Sequence, residues 1–262
     1  MFVTDHIGRI VEVPECPKRI VSLCPSQTST LMALGIGDRL VGRTRFCIHP
    51  GHELSGVEVV GGTKKLDESD LLRLKPDLVI AEKEENTPEM VEWMARHFPV
   101  YVTDVTDLKS AHRMVEDLAS ITGTMPAGEK LIAEIRESMV GIRPLDRSQT
   151  VLYLIWRKPW MAAGSNTYIH SILSLLGFDN LACGWQGRYP EVQLRESDLH
   201  PDHVFLSSEP FPFTEKHVAE IQQIFPSATI TLVDGEIFSW YGERQRDLAS
   251  YWEDLKQKIA AG

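Results

Sequence analysis

Residues 71–85 read "LLRLKPDLVIAEKEE", and residues 196–210 read "ESDLHPDHVFLSSEP". Each runs from a helix end through Pro-Asp into a short apolar strand, then into a loop carrying glutamate. Pro76-Asp77 aligns with Pro201-Asp202, and the same offset sets Glu84 against Glu209. Upstream, "RIVSLCPSQTSTLMALGIGDRLVG" (residues 19–42) and "TVLYLIWRKPWMAAGSNTYIHSILSLLGFDNLA" (residues 150–182) share a plan. Both give a strand, a loop, a capped helix, a Leu-Gly ending and then Asp. Short strands spaced by helices of this length indicate parallel sheet in an α/β fold. The echo therefore predicts two similar α/β lobes.

Working outward, the first lobe alternates strands and helices. "RIVSL" is a strand, and Ser26 or Thr28 is expected to cap the helix that ends at Gly35. "LVG" at 40–42 is the next strand, and a helix capped by Asp67 leads to "LVIA". Thr87 caps a helix with Pro88 at its first position, and "VYVTDV" follows as a strand. From 109 to 142 the pattern is helical without strand: Leu108, Ala111, Met114, Val115, Leu118 and Ile121 keep helical spacing, and Pro126 opens a second, longer helix. This stretch is read as a strut between lobes. The organisation expected is an N-terminal lobe at 1–106, a helical connection at 107–147 and a C-terminal lobe at 148–262.

Composition narrows the function. The chain has 262 residues, 43% hydrophobic and 24% charged, which is ordinary for a globular protein with a large core. No apolar run approaches the ~20 residues needed to cross a bilayer. A net charge of −10 argues against a nucleic-acid partner, whose phosphates require a basic face. Cys16, Cys24, Cys47 and Cys183 have no paired spacing and read as idle thiols. "MFVTDHIGRI" has neither a basic nor an apolar leader region, so the expectation is cytosolic synthesis or a leader removed before this chain begins.

The stretches "RIVSLCPSQTSTLMALGIGDRLVG", "GGTKKLDESDLLRLKPDLVIA" and "NTYIHSILSLLGFDNL" resemble the ABC-importer substrate-binding proteins for cobalamin, ferric siderophores and haem. The likeness runs from about Asp5 to the last helix. It implies two α/β lobes joined by a long backbone helix, a ligand cleft between the lobes, and an N-terminal β-ribbon in "DHIGRIVEVPECPKRI". It also implies a periplasmic or envelope location, an ABC permease as partner and a monomer as the working form. "FCIHP", "LIWRKPWMAAG", "SSEPFPF" and "FSWYG" look like a subgroup of helical backbone metal receptors, which leaves the ligand open.

In open α/β sheets, ligands sit outside the carboxyl ends of strands. The loops expected there hold Trp156, Trp160, Trp185 and Trp240, with Phe46, Tyr189 and Tyr241. They also hold Arg45, Arg157, Arg188 and Arg244. In an acidic chain this bias is the main functional signal. Indoles bury flat apolar surface with few rotatable bonds, and arginine forks hold carboxylates. A planar metal chelate (cobalamin or another corrinoid, a ferric siderophore, or haem) suits both. A tryptophan is often only a core residue, and Trp93 and Trp252, on helices, are read that way. "WRKPW" is not, because adjacent cations and a proline do not fit a core strand.

Cys47 and His49 in "FCIHPGHE" have the softness of metal ligands, although Cys-x-His is too short for a usual structural zinc site. A polar loop histidine is the plainer reading. Permease docking in the resembled family uses one glutamate from each lobe, and Glu89 and Glu215, each just after a threonine cap, are the pair expected here. An acid at a helix start is also stabilised by the dipole alone. No dinucleotide fingerprint, P-loop or nucleophile elbow appears, so an enzyme is not expected and no intrinsic cofactor is assigned. The rival reading is a cytosolic chaperone, sensor or enzyme for a metal cofactor that keeps the same fold.

Overall fold

The computed structural model describes residues 1–261. They form two compact units. The first holds Met1–Val105, Lys109–Arg136 and Gly242–Arg244; the second holds Thr106–Leu108, Glu137–Tyr241 and the chain from Gln245.

In the first unit, β1 (Phe2–Thr4) and β2 (Ile10–Glu12) make an antiparallel ribbon, whose first strand lies before the stretch from Asp5 in which a ribbon is expected. Then come β3 (Ile20–Ser22), α1 (Pro25–Ala33), a 3-10 turn at Gly37–Arg39, β4 (Leu40–Arg43) and β5 (Glu58–Val59). α2 (Glu68–Leu74), β6 (Leu78–Glu82), α3 (Pro88–Ala95) and β7 (Val100–Thr103) follow. The sheet order is β5-β4-β3-β6-β7, and every neighbouring pair is parallel. Every residue of β6 and β7 is buried, as strands covered by helices on both faces must be. α4 (Leu108–Thr122) buries Ala111, Met114, Val115, Leu118 and Ile121 of the residues its spacing singled out, while Leu108 at its start is only half-buried. The chain passes from the first unit to the second within α5 (Met125–Val140).

The second unit contains β8 (Gln149–Trp156), β9 (Met161–Ala162), α6 (Tyr168–Leu176), β10 (Phe178–Asn180) and β11 (His203–Ser207). α7 (Glu215–Gln222), β12 (Thr229–Val233), α8 (Gly235–Ser239), a 3-10 stretch at Gly242–Asp247 and α9 (Leu248–Ala261) complete the chain. Its sheet runs β10-β8-β11-β12, all parallel, with β9 added antiparallel on β8. This order repeats β4-β3-β6-β7 strand for strand. The fold is α/β, with two similar, parallel-rich units.

The Pro-Asp echo has a physical basis. Asp77, just before β6, accepts the Lys18 and Arg19 amides leading into β3, each at 2.8 Å. Asp202, just before β11, accepts the amide and hydroxyl of Thr150 at the start of β8, at 2.7 and 2.8 Å. In each unit an aspartate ties its own strand to the neighbouring one.

Asp67 and Thr87 cap α2 and α3 as expected. Neither Ser26 nor Thr28 caps α1. The N-cap is Cys24, and Pro25 supplies the first turn, where its missing amide costs nothing. Thr28 instead donates toward Ser22 Oγ and the Cys24 carbonyl, because a buried hydroxyl needs an internal partner. Trp252 is a core residue as expected, its Nε1 donating to the Arg143 carbonyl at 2.7 Å, and Trp93 packs partly buried against the first unit's core.

Candidate functional site

In the second unit, "WRKPWM" is the tip of a hairpin. Trp156 ends β8 opposite Met161 of β9, and Lys158 adopts φ 67° in the turn. The turn throws both indoles onto the loop after β11. Trp160 stacks on Phe213 at 6.0 Å with 2° between planes, and Trp156 meets Phe211 edge-on at 5.7 Å. Phe211 and Phe213 touch at 4.7 Å, and the His217 ring abuts both at 5.3 and 5.4 Å. His217 is fixed because its Nδ1 accepts the Thr214 amide at the start of α7. Trp156 remains 38% exposed at the edge of the cluster.

Arg157 lies over the Trp160 ring at 5.6 Å and forks onto Glu220, with both hydrogen bonds at 3.0 Å. The fork is therefore committed to a carboxylate of this chain, and the expected hold on a ligand carboxylate has Glu220 as a competitor. Phe211, Phe213, His217 and Glu220 are the residues that sequence reasoning missed. The available signal is "FPF" in the loop matching "KEE" of the first lobe, where the glutamates draw the eye first.

Arg188 and Tyr189 lie beside this hairpin. Ala162 and Gly164 donate backbone hydrogen bonds to the Pro190 and Arg188 carbonyls at 3.0 and 2.8 Å, and Val192 donates to the Trp160 carbonyl at 2.9 Å. A side chain at Gly164 would meet the Gly187 and Arg188 carbonyls at 3.1 and 3.2 Å, so glycine permits the two loops to zip together. Trp185, partly buried against the same core, lines an open groove of about 490 Å³ with Glu191, Gln193 and Glu196.

Trp240 and Tyr241 sit differently from the expectation of strand-end loops. They follow α8 and are buried. Trp240 Nε1 donates to Glu209 Oε1 at 2.8 Å, and Tyr241 meets Tyr168 edge-on at 5.5 Å. Glu209, the echo residue, is thus a brace for α8. Arg244 belongs to the first unit, with Gly242, whose backbone lies against Thr30.

In the first unit, Arg45 and Phe46 follow β4, with the guanidinium 5.4 Å from the phenyl centroid and the ring 50% exposed. Arg45 lies across Gly62, where a Cβ would stand 2.7 Å from its Nη2. Lys64, which the sequence pattern does not single out, donates its ammonium to the Glu84 carbonyl. Cys47 is buried against Thr44 Oγ1 at 3.2 Å, and burial pushes its thiol up, away from the thiolate that binds metal. Among the described residues, no three His, Cys, Asp or Glu side chains converge to hold a metal ion.

Glu89 and Glu215 are exposed in the first turns of α3 and α7. Hydrogen bonds from its own amide and from Thr87 hold the Glu89 carboxyl below its usual range.

Comparison with known proteins agrees with this architecture. The vitamin B12-binding protein of Vibrio cholerae serotype O1 is 26% identical over 213 residues, 80% of this chain and 76% of that protein. The crystal structure of the periplasmic vitamin B12 binding protein BtuF of Vibrio cholerae superposes with a TM-score of 0.72 at 22% identity, covering 95% of this chain and 98% of that one. The periplasmic haem-binding protein BhuT with two haems gives 0.78 at 19% identity, covering 92% and 99%. The profile of the family described as periplasmic binding protein matches residues 20–223. With that match spanning most of both α/β units, the chain belongs to the periplasmic binding protein family.

Proposed function

We propose that the protein is the substrate-binding component of an ABC importer and carries a metal chelate of the cobalamin or haem type. Its family is one of solute carriers rather than enzymes. The observation that carries the ligand class is the aromatic cluster at the carboxyl ends of β8 and β11. There Trp156 is partly exposed at the edge of a set of packed rings and Trp160 lies beneath a guanidinium. Flat rings of this kind receive a corrin or porphyrin face, and Arg45, Arg188 and Arg244 are proposed to meet its anionic edges. Phe46, Trp185, Tyr189, Trp240 and Tyr241 complete the proposed set, and His49 is the side chain proposed for any direct metal contact.

The proposed location is the cell envelope, with a membrane permease as partner. Glu89 and Glu215 are proposed to dock on it, one from each unit, and the working form is proposed to be a monomer. The test is tryptophan fluorescence of purified protein titrated with cyanocobalamin, haemin and a panel of ferric siderophores. Saturable quenching that weakens in Trp156→Ala supports the reading. Absence of quenching by every chelate, with circular dichroism showing a folded protein, overturns it.

A further inference from the structure

The carboxyl group of Glu82, at the carboxyl end of β6, is 2% exposed and lies among the polar side chains that end the first unit's strands. Its Oε2 accepts the amides of Glu84 and Glu85 at 2.6 and 3.0 Å. Its own amide donates to Asn86 Oδ1 at 2.8 Å, and Asn86 Nδ2 reaches the Thr63 carbonyl at 2.9 Å. Glu82 thus shapes the whole 82–86 loop and links it, through Asn86, to the loop of Gly62 and Lys64.

The other oxygen, Oε1, is buried and has no hydrogen-bond donor among the described residues. A second buried acceptor is in the same position: Gln27 Oε1. Gln27 Nε2 donates to Thr103 Oγ1 at 2.6 Å, and Thr103 is the in-register neighbour of Glu82 across β6 and β7. Gln27 is thus bonded to the residue in register with Glu82, and Gln27 and Glu82 each carry one unmatched acceptor. Leaving buried acceptors without donors is costly, and an unpaired buried charge costs more.

We propose that Glu82 carries a proton on Oε1 at neutral pH, and that in this neutral form it is the positioning residue that holds the 82–86 loop in its binding shape. The proton removes an unpaired buried charge without disturbing the two amide bonds on Oε2.

The surrounding charges favour the same state. Glu84 and Glu85 lie on its own loop. Lys83 is drawn away to Asp104 beyond β7, and Lys64 is spent on the Glu84 carbonyl. From the start of α1 the facing group is the Cys24 thiol, itself pushed up by burial. Burial first, then the charge of Glu84, raises the Glu82 carboxyl to about 8, against the two amide bonds that lower it. Through Asn86 the loop is tied to Thr63, next to the Gly62 that Arg45 of the proposed chelate site lies across, so its consequence for binding rests on that reading.

The experiment is ¹³C NMR of full-length protein labelled at the glutamate carboxyl carbons, titrated across the pH range, with ¹⁵N amide spectra in parallel. The expected result is one glutamate with a midpoint near 8 rather than 4.5. It should vanish in Glu82→Gln, and the Glu84 and Glu85 amides should shift with the same midpoint in wild type. If Glu82→Gln does not fold, Glu84→Gln and Glu85→Gln keep the Glu82 signal and should each lower its midpoint, because the charges of Glu84 and Glu85 help to raise it; a high midpoint that neither variant moves belongs to another glutamate and overturns the proposal. Every glutamate titrating in the ordinary carboxylate range overturns the proposal, as does a high midpoint to which the two amides are blind. A final arm follows cyanocobalamin and haemin affinity against pH. A decline of up to tenfold per pH unit above the midpoint in wild type, absent in Glu82→Gln, supports the binding role, and a flat wild-type profile overturns it. Silence of both chelates alongside a high-midpoint glutamate counts against the chelate reading while the proton assignment stands.

Discussion

Set side by side, the two α/β units share one strand order and one Asp-to-strand tie, yet they finish their sheets in opposite ways. The first closes the carboxyl end with Ser22, Gln27, Thr28, Thr44, Glu82 and Thr103, all buried and polar. The second closes it with indole and phenyl rings, Trp156, Trp160, Phe211 and Phe213, behind which Tyr153, Phe205 and Phe238 fill the core. The difference lies in what holds a loop in place. Rings pack without direction and tolerate exposure at one edge, as Trp156 shows. Buried polar groups require matched donors and acceptors, so a single unmatched oxygen becomes a place where protonation state matters. Equal topology therefore ends one unit's strands in packed rings and the other's in buried polar groups.

Removing a ring separates the two most strongly. Trp160→Ala takes an indole off Phe213 and out from under Arg157, and is expected to cost about 3 kcal/mol in urea unfolding. Phe46→Ala, in the first unit, removes a half-exposed ring and is expected to cost under about 1 kcal/mol. Equal losses would erase the contrast.

Acidity offers the next lever, and it belongs to the first unit. Glu82 is raised on folding, so between about 4.5 and about 8 the native state holds a proton that the unfolded chain has lost. Its contribution is then complete at low pH and is lost as pH rises through that window, so the melting temperature falls toward alkaline pH. Glu82→Gln, which mimics the neutral acid, should flatten this slope. A slope unchanged in the variant assigns it to another group.

Smaller and symmetrical effects should come from the shared tie. Asp77→Ala and Asp202→Ala are each expected to cost about 1 kcal/mol, measured by thermal unfolding. The Asp202 carboxyl is held low by the Thr150 amide and hydroxyl, so its contribution is present above 3.8 and lost as pH falls through its folded value. A several-fold inequality between the two would show that the repeat is one of sequence and not of energetics. The smallest effect on stability is expected at Glu89 and Glu215. Both are exposed, so Glu89→Lys and Glu215→Lys should leave the melting temperature within a degree or two and be read instead in stimulation of the permease's ATPase.

Much of this architecture is legible in the chain's local patterns. Caps such as Asp67 and Thr87 act within one turn, so neighbouring residues specify them. The Pro-Asp echo exposes the repeated topology because its contacts recur at the same offset in each unit. The aromatic and arginine bias marks the hairpin of Trp156, Arg157 and Trp160, since rings and cations at a strand end have few other uses. Less legible are partners brought by distant chain. Glu220 claims the fork of Arg157 across 63 positions, and Glu209 claims Trp240 across 31.

The amino-acid sequence by itself determined the two-unit α/β plan, its repetition and the loops where rings and cations gather, because periodicity, caps and turn chemistry are local, whereas the strand order came from the fold. Only the tertiary structure decided which of those side chains are already paired. It turned Arg157 into a neighbour of Glu220, Trp240 into a brace and Glu82 into a buried acid, because burial and pairing depend on what the rest of the chain packs against each group.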